Sequence, residues 1–411
     1  MAITINDQPY EYTPIGQRLM IVCSSTNVGN IGFRFVFDFG SFKVNVQPNA
    51  SNKGVLDLAP IFREQLKHDI SLVTEVQGTE TSSVAPISCT IREGWLIDGI
   101  FTISGSGAAA IDDVYAFLAE YQVADGYKPD PNERYAMDSK DKYLMSERTS
   151  DTHIWSEAAS RNLPRGWVYI PTKLSDYGVM YTPSSTALLA DNDFDIAVIS
   201  TYDNNGDLID TIKLDLDNSD NIVNAVGAYY ANVLTTGVDL AGCVYYTIQI
   251  GKEILFPIYS AKSRVYCFYI VPDDCRFDNV RLGWTNTCGG TDYFNFTKKS
   301  ELSYNYDRKQ YQKVIGNYNS TTFDFNTWDR GTTDRYVKTT KGLQINSDWV
   351  SVGEFELLQT LCRSNDVYII SSRGDKIPVL VDTQNFVIKD ERYSKLYNVT
   401  LNLKYSQPVG L

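Results

Sequence analysis

Histidine is scarce, with only His68 and His153 in 411 residues. So thin a supply argues against imidazole catalysis and His-rich metal sites. Apolar runs are short, and none approaches the roughly 18 residues a membrane-spanning helix needs. The opening stretch, Met1-Ala-Ile-Thr-Ile-Asn-Asp7, lacks the basic and apolar segments of a signal peptide, so the expectation is a protein made and kept in a cytosol. Cysteine is modest and odd in number: Cys23, Cys89, Cys243, Cys267, Cys275, Cys288 and Cys362. No CxxC occurs and the spacing is irregular, which disfavours a disulfide framework or a structural zinc site. Reduced, buried thiols acting as small hydrophobes are expected instead. Basic residues are outnumbered, 37 Lys and Arg against 50 Asp and Glu, for a net charge of −13. That excludes a generally basic nucleic-acid coat, so no specific nucleic-acid binding is expected.

Aromatics are plentiful, with 28 tyrosines and 13% Phe, Trp and Tyr. Together with many Thr, Val, Ile and Asn they predict a mainly β fold. The expected architecture is a tandem series of β-sandwich or barrel-like domains, with a few short helices and one extended connection. Residues 1–128 read as a β-rich N-terminal domain. Ile31–Phe39 and Phe42–Val46 flank a Gly40-Ser41 turn, and Asp57 and Pro60 open a short helix. Strands are expected at 70–76, 86–92 and 95–103, and a helix at 109–121. Residues 129–165 read as an irregular connection or arm that packs elsewhere. Residues 166–290 read as a central β domain. In it Asn205-Gly206 turns one hairpin, 196–202 to 208–214, and Gly251-Lys252 turns a second. Residues 291–411 read as a C-terminal β domain with one helix, capped by Ser351 and Glu354, and a terminal strand at 397–405. This last part carries 16 basic and 14 acidic residues, so the first 290 residues carry −15. That imbalance suits subunits meeting head to tail.

Motifs with chemical precedents have plainer structural readings. Ser104-Gly-Ser-Gly-Ala-Ala-Ala110 imitates a dinucleotide loop, but the parallel strand with its acid is missing, so no cofactor is expected. Asp203, Asn205 and Asp207 imitate a calcium loop, but Leu208 and Leu214 stand where glycine and glutamate belong, and no metal is expected. The pairs Asp112-Asp113 and Asp273-Asp274 read as a helix start and a turn. His68 reads as the neighbour of a helix end, Arg373-Gly-Asp375 as a turn, and four glycosylation sequons at Asn49, Asn295, Asn319 and Asn398 as incidental.

Several pieces recur in a set order: Tyr12-Thr-Pro-Ile-Gly16, Cys23-Ser-Ser25, Phe33–Asp38, Val46–Ala50 and Gly54–Asp57. Later come Trp284-Thr-Asn286 with Gly289–Phe296, Glu354–Gln359, Ser364–Tyr368 and Ile377-Pro-Val379. Together they resemble virion structural proteins of tailed bacteriophages, especially phages of Bacteroidota-type hosts. Residues 130–230 add little to the likeness. The resemblance implies a tail, baseplate or neck component that is not an enzyme. It would be assembled in the host cytoplasm into a homo-oligomeric ring that docks other tail proteins. Trp284, Tyr293, Phe294 and Trp328 are the expected interface anchors, while Trp349 fits core or surface equally. Two other classes compete. One is a host-surface glycan-binding adhesin or fibre protein, marked by a clustered aromatic face. The other is a glycoside hydrolase, which needs two carboxylates about 5–10 Å apart.

Overall fold

The computed structural model describes residues 3–9, 12–16, 18–105, 107–120, 146–148, 166–183, 194–217, 223–255, 257–272, 276–318, 320–382 and 397–407. Within them the chain is mainly β, with several separate sheets and a few short helices, as composition and alternation predict.

The first region holds β1 (Ile3–Asp7), β2 (Tyr12–Pro14), β3 (Met20–Ser25), β4 (Arg34–Asp38), β5 (Lys43–Val46) and β6 (Lys53–Asp57). It continues with α1 (Ala59–Arg63), β7 (Gln77–Glu80), β8 (Val84–Ile97), β9 (Ile100–Ile103) and β10 (Ala109–Phe117). Sheet β1-β3-β6 faces sheet β2-β10-β8-β4-β5, which also carries β9 on β8. Ile21 and Cys23 from one, and Phe35, Phe37 and Ile91 from the other, bury one core between them. α1 starts at the expected place with a different cap. Leu58 is the capping residue, and the Asp57 carboxylate accepts from the amides of Ala59 and Leu19, each at 3.0 Å.

Three local expectations in this region need correcting. The helix expected over 109–121 is the strand β10. Its Ile111 and Val114 share the core because a bulge shifts the register against β8 between them. Such a bulge yields a three-residue apolar spacing that also suits a helix. The strand expected over 70–76 is a 3-10 turn, Ile70–Thr74, opened by Asp69, whose carboxylate accepts from the Ser71 amide at 2.9 Å. The stretch 95–103 is broken at Asp98-Gly99, where φ is 50° and 79°, the geometry of a two-residue hairpin turn.

The central region contains β11 (Val168–Thr172), β12 (Val179–Pro183), β13 (Ile196–Tyr202), β14 (Leu208–Asp215), β15 (Val223–Gly227), α2 (Tyr230–Val233), β16 (Tyr245–Leu255), β17 (Ile258–Ala261) and β18 (Tyr266–Ile270). One sheet has the order β11-β18-β16-β13-β14, with β17 on β16. Facing it is β12-β15-β7, whose last strand comes from the first region. Their shared core takes Val73, Val84 and Phe117 from the first region and Ile370 from the third. The three stretches therefore share packing rather than meeting only through linkers. The Asn205-Gly206 hairpin joins β13 to β14 as expected. The turn expected at Gly251-Lys252 does not form, because β16 runs on to Leu255. Gly251 serves close approach instead: a Cβ there would lie 2.5 Å from the Tyr259 ring and 2.9 Å from the Ser260 carbonyl.

The third region starts before the expected boundary at 291, because β19 pairs with β20 and β25; it comprises β19 (Val280–Thr285), β20 (Thr291–Phe296), β21 (Glu301–Gln312), β22 (Asn317–Tyr318), β23 (Phe323–Asp324), β24 (Thr332–Val350), α3 (Val352–Arg363), β25 (Val367–Ile370), β26 (Lys376–Val381) and β27 (Tyr397–Tyr405). Seven strands form one sheet, β20-β19-β25-β26-β27-β24-β21. The predicted capping box opens α3: Ser351 Oγ accepts from the Glu354 amide at 3.2 Å, and Glu354 Oε2 accepts from the Ser351 amide at 3.0 Å. Phe355, Leu358 and Leu361 of α3 pack with Leu343, Ile345, Leu401 and Leu403 of the sheet. β19–β20 and β25–β26 are hairpins, and the expected terminal strand β27 is present.

Candidate functional site

The longest exposed feature is a β-ribbon built from β21 and β24. All twelve residues of β21 are exposed. β24 also pairs with β27, but only through Gly342–Val350, so Thr332–Lys341 has β21 as its one neighbour among the described residues. The ribbon therefore leaves the body as two strands. Nine residues of β21, Tyr304–Gln312, span about 30 Å at 3.4 Å each. At its far end β22 and β23 form a small second hairpin.

The ribbon's two faces differ. Directly opposed residues share a face, so Leu302, Tyr304, Tyr306 and Arg308 line up with Leu343, Lys341, Thr339 and Val337. Leu343 belongs to the core beneath α3. The core-facing side of the sheet thus continues outward onto the ribbon, where α3 no longer covers it and Tyr304, Tyr306 and Val337 are exposed. The opposite face, Ser303, Asn305 and Asp307 with Gly342, Thr340 and Lys338, is polar. Beyond the bulge after Lys309, Asp334 accepts from Arg308 and Gln310, each at 2.8 Å, which holds its carboxyl below the usual range. The tip exposes Tyr318, Phe323, Phe325 and Trp328 by 53–76%. At roughly 200 Å² per aromatic side chain, that leaves roughly 500 Å² of aromatic surface uncovered.

The ribbon is also the basic part of the chain. Residues 298–341 hold nine Lys and Arg and five Asp and Glu, net +4, so with −13 overall the rest carries −17. The opposite charge gathers at β14, the edge strand of the central sheet. Asp203, Asp207, Asp210, Asp215, Asp217 and Asp239 lie on or beside it, and Lys213 is its only cation. Asp203 accepts from the amides of Asp207 and Asn205, both at 2.8 Å, and these bonds, led by Asp207, lower its pKa. The calcium-like spacing there is thus a turn whose carboxylate bonds its own backbone.

Of the four expected anchors, Trp328 sits on the tip at 76% exposure. Trp284, Tyr293 and Phe294 are buried within the chain. Trp284 Nε1 donates to Thr360 Oγ1 at 2.9 Å and locks β19 to α3. The Tyr293 hydroxyl accepts from the Val179 amide at 3.2 Å. Trp349 is exposed. The described part of the 129–165 connection, residues 146–148, packs on the same chain. Ser146 Oγ donates to Asp292 at 2.5 Å, and Arg148 Nη2 donates to the Tyr293 carbonyl at 2.6 Å.

Between the central and third regions lies a buried polar joint. Arg281 gives Nη1 to Asp176 (3.2 Å) and Asn295 (3.1 Å), and Nε to the Tyr177 carbonyl (2.9 Å), with its guanidinium over the rings of Tyr229 and Tyr293. Beside it is a cleft of about 270 Å³, bordered by Arg148, Lys173, Lys298, Asp348 and Trp349. Lys298 and Asp348 there pair at 2.8 Å.

The remaining sequence candidates are placed as follows. His68 is not at a helix end; it is buried, 3.0 Å from Glu80 and stacked on Tyr181. Arg373-Gly-Asp375 is a turn folded onto the first region: Lys376 reaches the Ser71 carbonyl at 3.3 Å, and Gly374 sits against Thr74. Burial pushes the Cys23 and Cys89 thiols up to about 12. Asp112 and Asp113 lie on β10 rather than at a helix start. His153, Asp273, Asp274, Cys275 and Asn319 lie outside the described residues. Among the described residues, no group of three or more His, Cys, Asp or Glu could hold a metal ion, and no helix is long and apolar enough to cross a membrane.

No protein-family model matches the sequence, and no curated protein matches it. Among solved structures, one titled "Ca2+-stabilized adhesin helps an Antarctic bacterium reach out and bind ice" is similar at 7% identity over 98% of each chain, with a TM-score of 0.21. A likeness that slight carries no argument about fold or function.

Proposed function

We propose that this chain is a structural component of a bacteriophage tail, baseplate or neck, which assembles into a symmetric ring and docks neighbouring tail proteins or fibres. The reading assigns it binding and no catalysis, in a virion put together in the host cytoplasm. The observation that carries it is the two-stranded ribbon, β21 with β24, exposed on both faces and ending in uncovered aromatics. An isolated two-stranded hairpin is marginal in water, because it needs a third strand or a packed face. A ribbon of this length that is to hold its shape gains that support from another molecule.

Light scattering after size exclusion tests the reading, with and without the neighbouring gene products. A closed ring, alone or with those partners, is the expected result. A monomer that ignores every partner overturns it. One observation favours a second reading, a glycan-binding adhesin: the tip exposes four aromatics, as a sugar platform would. Glycan binding that Trp328→Ala abolishes, in a chain that forms no ring, would select that reading instead.

A further inference from the structure

We infer that the ribbon docks on a second copy of this chain, along the free edge of β14. This rests on the reading of the chain as ring-forming and names the contact that closes the ring. Both strands are sheet edges. β14 pairs only with β13, and β21 only with β24, among the described residues, although the Gln77 side chain already donates to the Asp215 carbonyl at one end of β14. An unpaired edge offers a row of amide and carbonyl groups to a strand from another molecule. The lengths match: β14 has eight residues, about 27 Å, and the projecting part of β21 about 30 Å.

Charge decides which edges meet. Pairing β14 with β14 would bring two acidic edges together, and pairing β21 with β21 would bring together two ribbon segments each of net +4. Like charges facing across strands are destabilising. Pairing β21 with β14 sets a segment of net +4 against the acidic edge of a body of net −17. The favoured contact joins two different surfaces, and a heterologous contact of this kind generates a ring when its rotation closes. Leu208, exposed at the start of β14, is an apolar landing point beside the turn.

Charge reversal tests this under conditions where the wild-type chain assembles. Lys309→Glu, Lys313→Glu and Arg335→Glu together reverse the ribbon, and none of the three has an ion pair in the described structure. Asp207→Lys, Asp215→Lys and Asp217→Lys together turn the edge from net −5 to +1. Each set should weaken assembly at least tenfold, and a chain carrying both sets should regain it. Circular dichroism and melting confirm that each variant is folded. A salt series on the wild-type chain needs no variant: its dissociation constant should rise at least tenfold between about 0.05 and 1 M salt, as the Debye length shrinks to about 3 Å. Assembly that survives either reversal overturns the docking while leaving the ring reading intact. So does a loss that the combined variant fails to restore, or a ribbon reversal that affects only a different tail protein. A wild-type chain that never assembles overturns both.

Discussion

Replacing Arg281 by methionine strands the charge on Asp176. The two side chains are 4% and 2% exposed, and they bridge the third region to the central one. Methionine keeps the stem but removes the bonds to Asp176, Asn295 and the Tyr177 carbonyl. It also removes the cation from between the rings of Tyr229 and Tyr293, at 4.1 and 4.9 Å. Asp176 keeps two donors, the Lys173 amide at 2.9 Å and Asn295 Nδ2 at 2.6 Å. Breaking a buried pair from one side costs about 3–5 kcal/mol. With about 2.1 cal/mol/K of unfolding entropy per residue, a cooperative melt of 411 residues moves down by roughly 4–6 °C. Scanning calorimetry on the unassembled chain reads this directly. The transition should also broaden, because the joint couples two sheets. The double variant Asp176→Asn/Arg281→Met removes both charges and should recover at least half of the loss. A shift below about 1 °C, or a double variant as unstable as the two singles summed, would refute the account of the joint.

Three further outcomes are expected. Gly374→Ala should destabilise the chain by about 1–3 kcal/mol in urea titration, since φ is +83° and the new Cβ would lie 2.4 Å from Thr74 Cγ2; a neutral result would free the turn from the first region. Asp203→Ala should destabilise the chain at neutral pH only. The Asp203 pKa is lowered in the folded state, so its contribution is full above the ordinary carboxylate value of about 4 and is lost as pH falls through the lower folded value; equal gaps at about pH 7 and pH 2 would contradict this. Backbone amides in 304–312 and 332–341 should exchange quickly in the free chain and slowly after assembly. Unchanged exchange would show that the ribbon stays solvated.

Much of the fold was legible because its signals are local. The Ser351–Glu354 capping box, the Asn205-Gly206 turn and the alternation of Tyr397–Tyr405 each depend on a few neighbouring residues. Errors arose where a partner strand sets the geometry. The bulge in β10 spaces Ile111 and Val114 like a helix, and Gly251 resembles a turn residue although it only makes room for Tyr259. The ribbon has a sequence signal of its own: Leu302, Tyr304 and Tyr306 alternate with Ser303, Asn305 and Asp307. Trp328 is exposed while Trp284, Tyr293 and Phe294 are buried, a difference the local sequence does not carry because exposure depends on strands distant in sequence.

The strand β7 also has a consequence in time. Its partner β15 begins at Val223, which lies 143 residues beyond Glu80. At about 5–20 residues per second, a ribosome takes about 7–30 s to supply it. Through that interval the nascent chain carries an unmatched strand, and Val73, Val84 and Phe117 wait for the core they will share. Early release would leave the first region with one edge open, so completion of the front of the molecule is timed by synthesis of its middle.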